Sequence, residues 1–426
     1  PIMQKILFLC SPGLGLLDTW APILEKLSNK YEIDFFVIKP GILENISKEK
    51  FFYEILKKNF KNFYSISKKE KIYQIKNLKK NNLSFLEKVS ENLNRNNVRF
   101  FNKEFNIYNY IFKHNIFKKK QKVEYKNFLN NYKFILCDAI ELTKDSLKEF
   151  ATSAKHIDKI SINHGSGFPY TKKFSFNKQN DLGDKFKIVL FSKTKQEINF
   201  FQTMLKLNEN NYIRLGNPKH EKSWIKKISN KYEKKYFNGK KYIFLISRHT
   251  DGKYFTDKKK IILIKQIKKI VIDKMGYNLV IKTHPKENIN EYYFKILGKK
   301  FYKKNWIISK NHPYGISKNA FFSISFFSDL ANDMNAAGIP NIELLNLQNL
   351  KNLDKKDVFI KNKIKMFRIR YLNLTLGSSN EKGFELLIND IILRRKNIIK
   401  DLNKTYMKYF INPNNSKKIT QLFKKN

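Results

Sequence analysis

Tyr277-Asn278-Leu279-Val280-Ile281-Lys282-Thr283-His284-Pro285 decides how this chain is read. A short apolar run ends in a cation, a hydroxyl, an imidazole and a proline, which is how a buried strand delivers polar groups to a ligand. Farther on, a second apolar run ends in Ser323-Ile324-Ser325-Phe326-Phe327-Ser328-Asp329-Leu330 and turns helical up to Gly338-Ile339-Pro340. In an open parallel sheet, ligands sit beyond the carboxyl ends of strands, where helix N-termini add positive dipoles. Two such strand ends, one with Lys282 and His284 and one with Ser323, Ser325 and Ser328, predict a cradle for a diphosphate.

Outward from this pair, the second half reads as alternating strands and helices. It begins with a buried run at 241–247, the loop Arg248-His249-Thr250-Asp251-Gly252 and a helix over 261–275, and adds strands at 306–309 and 341–344. The first half opens the same way, with a strand at 5–10, the loop Ser11-Pro12-Gly13-Leu14-Gly15, a helix to 27 and a strand at 33–38. Strand-like runs resume at 133–137, 159–163, 187–191 and 212–215, while 42–129 reads as mostly helical. The expected fold class is α/β, with two Rossmann-like doubly wound domains facing across a cleft. Expected boundaries are 1–218 for the first domain with its helical insertion, 219–240 for a linker and 241–400 for the second domain. The basic segment 401–426 is expected to pack back on the first domain.

A chain of 426 residues suits two domains of ordinary size. Its formal net charge of +48 predicts attraction to polyanions: an anionic membrane surface, a nucleic acid, an acidic glycan or a nucleotide-activated substrate. The lysines are spread along the chain, as they would be on a solvated basic surface, and the basic, aromatic-rich stretch 100–128, with Lys118-Lys119-Lys120, is the local candidate for a contact patch. Cys10 and Cys137 each close an apolar run, a reducing-compartment pattern without disulfide or zinc spacing. The run at 6–17 carries Pro12, Gly13 and Gly15 and lacks a small-residue cleavage site, unlike a signal peptide. No apolar run is long enough to span a bilayer. The expected location is therefore cytoplasmic, with the inner face of the membrane as a candidate surface.

Histidine is the natural acid, base or phosphate-binding cation near neutrality. His164 ends a strand in Asn163-His164-Gly165-Ser166-Gly167-Phe168-Pro169, where the glycines leave room for an acceptor hydroxyl; the same pattern suits a structural histidine at a tight turn. His284 beside Lys282 suits phosphate contact, or a residue fixed in extended geometry by the proline that follows. The serines before the second helix could donate to phosphate or act as N-caps. Arg248 could bind phosphate or pair with Asp251, and Gly13 and Gly15 could admit a substrate or another backbone. His114, His156, His220, His249 and His312 read as surface or structural residues. No His/Asp spacing suggests a metal, no cofactor is expected, and the serine elbow G-x-S-x-G is absent.

These pieces resemble the GT-B glycosyltransferases, and more narrowly the bacterial surface-polysaccharide enzymes that use cytidine-nucleotide donors. Ile162-Asn163-His164-Gly165-Ser166 looks like the histidine-glycine loop of CDP-glycerol glycerophosphotransferases, whose histidine is a candidate general base. Leu215-Gly216-Asn217-Pro218-Lys219 is similar to the segment preceding their interdomain linker. Ile281-Lys282-Thr283-His284-Pro285 looks like the motif those enzymes share with bacterial sialyltransferases and Kdo transferases, where the histidine contacts the donor phosphate. Phe327-Ser328-Asp329 is similar to their serine-pair phosphate motif, although Asp329 stands where the second serine belongs.

The resemblance implies an inverting, metal-independent transferase in cell-surface glycan assembly, with an acceptor domain first and a donor domain second. His164 would deprotonate the acceptor, with Gly165 and Ser166 beside it and Asp18 or Asp138 as fallback bases. Arg248, Lys282, His284, Ser323, Ser325 and Ser328 would hold the donor. A CMP-linked acidic sugar, Kdo or sialic-acid-like, is the expected donor, with CDP-glycerol or another CDP-polyol as the alternative, and a glycan or lipid-linked glycan is the acceptor. A UDP-sugar 2-epimerase shares the architecture, and polyanion or nucleic-acid binding would account for the charge without explaining the strand ends.

Overall fold

The apolar runs fold as parallel strands in both halves of the chain. The computed structural model describes residues 3–11, 14–38, 40–66, 71–76, 78, 99–100, 103–104, 124–163, 182–183, 185–205, 207–252, 254–285, 287, 292–348, 350, 358–413 and 416–423. Two compact units emerge, Pro1–His164 with Asn180–Ile188, and Gly165–Gln179 with Val189–Asn426.

The first sheet uses β1 (Lys5–Leu9), β2 (Glu32–Val37), β3 (Phe63–Ile66), β4 (Ile72–Gln74), β5 (Phe134–Cys137), β6 (Asp158–Ile162), β7 (Phe186–Leu190) and β8 (Tyr212–Arg214). Their order is β8-β7-β6-β5-β1-β2-β3-β4. The β1 strand pairs in parallel with β2 and β5, and its side chains are almost wholly buried. Both faces of such a strand are covered, which is why its sequence is a continuous apolar run instead of an alternation. The helix Leu14–Leu27 packs Trp20 edge-on to Phe8.

Two features depart from the sequence reading. Part of 42–129 is sheet, because Phe63–Ile66 pairs in parallel with β2 and Ile72–Gln74 returns antiparallel to it. Strands of four and three residues at a sheet edge carry too little pattern to be told from a loop. The compact division also falls inside β7, before the expected boundary, and the expected linker holds a helix, Lys222–Lys231, that buries Trp224, Ile225 and Ile228. Past the long helix Glu381–Tyr409, the chain pairs with 191–193: Ile411 N donates to Phe191 O at 2.9 Å and Lys193 N to Tyr409 O at 2.8 Å.

The second sheet uses β9 (Tyr242–Ile246), β10 (Asn278–Lys282), β11 (Trp306–Ile308), β12 (Ala320–Ser325), β13 (Asn341–Leu344) and β14 (Leu376–Ser378), in the order β11-β10-β9-β12-β13-β14. The pairings recorded between neighbours are all parallel. This is the doubly wound order, in which the chain starts at the centre, goes to one edge and returns to build the other. Ile243, Leu245, Leu279, Ile281, Ile324 and Ile342 share a core with Ile264, Ile267, Phe384 and Ile388 from the helices Asp257–Ile267 and Glu381–Tyr409. The strand order reverses between β9 and β12, and a ligand crevice is expected at their carboxyl ends.

Candidate functional site

Register brings the candidate residues together at the carboxyl ends of the second sheet's central strands. Ile246 stands beside Lys282 on one side and Ser325 on the other. The segments that follow these residues therefore leave together, at the switch point. Arg248 follows β9, His284 follows β10, and Phe327 and Ser328 follow β12.

Arg248 is clamped there. Its guanidinium lies 3.7 Å from the centroid of the Phe327 ring and donates through Nη1 to Phe327 O at 3.2 Å. Phe327 is stacked in turn on Phe367, with centroids 4.5 Å apart and planes at 22°, and Tyr254 meets Phe367 edge-on. Phe367 ends an antiparallel ribbon, Val358–Lys361 with Ile364–Phe367, so a peripheral element braces a cation at the switch point. Burial lowers the Arg248 pKa, opposed by the charges of Asp329 and Asp251. Among the described residues, the buried Arg248 Nε has no hydrogen-bond partner. A buried guanidinium donor without a partner is costly, and a bound anion would satisfy it.

Beside it, the His249 and His284 rings lie 4.4 Å apart at 40°. Glu287 sets the His284 turn: His284 N donates to Glu287 Oε2 at 3.0 Å, and Glu287 N donates to His284 O at 2.9 Å. Glu287 is itself buried and accepts from Ser247 Oγ at 2.9 Å, Tyr293 OH at 2.9 Å and Tyr292 OH at 3.1 Å. Lys260 forms a buried ion pair with it and donates to Arg248 O at 2.7 Å. One carboxylate thus ties the backbone after β9 to the backbone after β10, fixing the relative positions of Arg248 and His284. Sequence pattern singled out neither Lys260 nor Glu287; a lone glutamate three residues past the histidine was the available signal.

The serines divide. Ser328 Oγ accepts from Leu330 N at 3.3 Å at the head of the helix Leu330–Ala336, beside the cluster. Ser323 Oγ donates to Pro340 O and to Asn341 Oδ1, each at 3.2 Å, and Ser325 Oγ accepts from Asn341 Nδ2 at 2.9 Å. Both lie buried inside the sheet and serve the β12–β13 pairing. Lys282 is the last residue of β10, half-buried, with its carbonyl accepting from Ser247 N at 2.9 Å.

Elsewhere in the second unit, Lys219, His220, Asp333 and Tyr406 form a buried network. Lys219 Nζ lies 2.8 Å and His220 Nε2 2.6 Å from the two Asp333 oxygens, and His220 Nδ1 is 2.5 Å from Tyr406 OH. Burial alone would raise the Asp333 carboxyl; Lys219 and His220 outweigh it and hold the carboxyl below the ordinary range. The network fastens the segment Pro218–His220 to the helices Leu330–Ala336 and Glu381–Tyr409, so His220 is structural.

In the first unit, Asp138 caps the helix Ala139–Leu142, accepting from Ile140 N at 2.8 Å, and Ser11 Oγ donates to Glu141 Oε2 at 3.0 Å. These groups mark that sheet's own switch point, between β1 and β5. Asp18 is buried in the helix Leu14–Leu27, and a side chain at Gly15 would meet open space. Gly13, His164, Gly165 and Ser166, with Lys118-Lys119-Lys120, lie outside the described residues.

No family model and no curated protein matches the sequence. Solved structures do match. The UDP-GlcNAc 2-epimerase of Neisseria meningitidis, bound to UDP-GlcNAc, is 13% identical with a TM-score of 0.54, over 100% of this chain and 100% of that one. MnaA of S. aureus, in a structure with UDP, is 10% identical at a TM-score of 0.53, over 99% of this chain and 96% of that one. The wall teichoic acid polymerase TagF, as a histidine variant soaked with CDPG, is 10% identical at a TM-score of 0.52, over 99% of this chain and 88% of that one. At these identities the likeness establishes the fold, and the fold is the α/β architecture of the GT-B class.

Proposed function

We propose that the second unit holds the diphosphate of a nucleotide-activated donor, and that the protein is a transferase of CDP-glycerol or another CDP-linked polyol in surface-polymer assembly. The observation that carries this reading is the braced Arg248 at the switch point of the second sheet, with a buried Nε that has no partner among the described residues and His284 on the neighbouring strand end. Arg248, Lys282, His284 and Ser328 bind the phosphates. An acceptor hydroxyl attacks the β-phosphorus, the bond from that phosphorus to the CMP oxygen breaks, and His164 takes the hydroxyl proton. Charge growing on the departing CMP is met by the guanidinium and imidazole in a partly desolvated site, where such contacts are strongest.

The fold likeness to TagF and the loops at 162–166 and 215–219 favour a CDP-linked donor. The CMP-linked Kdo or sialic-acid-like donor has no counterpart among the structures named above and takes second place. Epimerisation of a UDP-sugar is the other reading, favoured by the likeness to the two proteins solved with UDP or UDP-GlcNAc.

A thermal-shift titration with CMP, CDP, UDP, GDP and ADP tests the proposal, since a ligand specific to the folded state raises the midpoint as it saturates. CDP should stabilise the protein, and Arg248→Ala and His284→Ala, each folded by circular dichroism, should lose the shift. Stabilisation by UDP alone, with turnover of UDP-GlcNAc in the absence of any acceptor, would establish the epimerase reading instead. No response to any nucleotide would remove the donor site.

A further inference from the structure

The helical segment Glu381–Tyr409 is kinked at Arg394, whose φ of −126° and ψ of 28° are not helical, and it carries two faces. Its inner face buries Phe384, Ile388, Ile391, Ile398, Leu402 and Tyr406, and Arg395 Nε donates to Phe321 O at 2.8 Å on that side. The outer face repeats at three- and four-residue steps through Lys382, Leu386, Asn389, Leu393, Lys396, Lys400, Lys404 and Met407, all exposed. That spacing sets Lys382 to Leu393 on one stripe before the kink and Lys396 to Met407 on one stripe after it, and the two run on because Ile391, Arg395 and Ile398 keep the inner face turned to the core across it. Leu386 is 59% and Leu393 81% exposed, and Ile392 at the edge is 44% exposed. Leucine at such exposure is ordinary when single; a heptad-spaced pair framed by lysines on one face is a candidate for a contact surface.

The carboxylates around the stripe are mostly occupied elsewhere. Glu381 pairs with Lys269, Glu385 with Lys274, and Asp390 with Arg394; Asp401 is the exposed carboxylate on the flank. Lys382, Lys396, Lys400 and Lys404 therefore project cations beside the two leucines. We propose that this stripe docks the protein on an anionic lipid surface, with Leu386 and Leu393 entering the headgroup boundary and the lysines contacting the phosphates. Apolar side chains beside basic ones on a helix face match that chemistry. A second copy of the chain is disfavoured as the occupant, because each copy carries a formal charge of +48 and the stripe would set like charges against each other. The inference is independent of the donor reading.

The test is co-sedimentation of the intact protein with vesicles of phosphatidylcholine alone and of phosphatidylcholine with phosphatidylglycerol. Binding should require phosphatidylglycerol. It should fall by about fivefold or more in Leu386→Asn/Leu393→Asn, which leaves every charge in place, and again in Lys396→Glu/Lys400→Glu. Both variants sit on the exposed face, and unchanged thermal midpoints confirm their folding. The proposal is overturned if the wild type ignores anionic vesicles, or if the asparagine pair binds like the wild type, which would make the attraction a diffuse effect of net charge. It is also overturned if light scattering shows a dimer that the asparagine pair converts to monomer.

Discussion

At the scale of the residue, how a charge is held matters as much as its presence. Arg248 is held by a ring on one side and a carbonyl at its tip, so its planarity matters as much as its charge. Arg248→Lys should keep the charge and lose the stacking and the fork, weakening CDP binding by about tenfold or more, read by calorimetry. Retention of full affinity would mean that the guanidinium only fills space. Glu343 makes a different statement. Burial pushes its carboxyl up to about 8 against the pull of the Arg370 charge. In the unfolded chain it titrates at about 4.3, so between those values the folded protein holds a proton the unfolded chain lacks. Its contribution to stability is full below about 4.3, declines as pH rises through about 8 and is then level. Glu343→Gln should flatten that decline, gaining a few kcal/mol over the wild type at about pH 8.5 and little at about pH 5, in denaturant titrations at both. Parallel curves for the two proteins would show the carboxyl ionised throughout.

At the scale of the element, sequence pattern disclosed what depends on continuous burial and missed what depends on fit. The buried runs of β1, β9 and β10 are legible because both faces of a central parallel strand are apolar. The placement of Arg248, Lys282 and His284 at strand ends is legible because polar residues ending such a run have few places to go. Phe367 was not, since its partner Phe327 is 40 residues away in the chain and the ribbon between them has no period of its own. Lys260 and Glu287 were hidden for a similar reason: a buried ion pair leaves two charged letters that look like solvent-facing ones. Gly216 was read as part of a loop motif, and the structure supplies its cause. It has φ +75°, and a Cβ there would lie 2.6 Å from Ile411 O and 3.2 Å from the Pro413 Cα. Gly216→Ala should therefore both strain the turn and push away the segment that follows the long helix, costing roughly 1–3 kcal/mol. A thermal midpoint equal to that of the wild type would show that the segment beyond Tyr409 yields freely.

At the scale of the whole molecule, 85 lysines and arginines face 37 aspartates and glutamates, an excess that no local pairing can absorb. The recorded ion pairs with more than half-exposed lysines, such as Lys269–Glu381 and Lys58–Glu25, are individually worth little in water. The unpaired remainder repels itself, and compaction on folding brings those like charges closer. Both compact units hold apolar cores large enough to override this, which is why a chain of such charge folds at all. Screening should then be stabilising. Raising sodium chloride from about 20 mM to about 500 mM shortens the Debye length from roughly 20 Å to roughly 4 Å. The midpoint of thermal unfolding should climb by several degrees and level off once the screening length falls below the spacing of neighbouring lysines. The rise should be reproduced by potassium chloride, because a screening effect follows ionic strength and not the identity of the cation. A midpoint indifferent to salt would mean that the unfolded chain is repelled as strongly as the folded one. The charge would then have no bearing on stability, leaving its partners as its sole physical consequence.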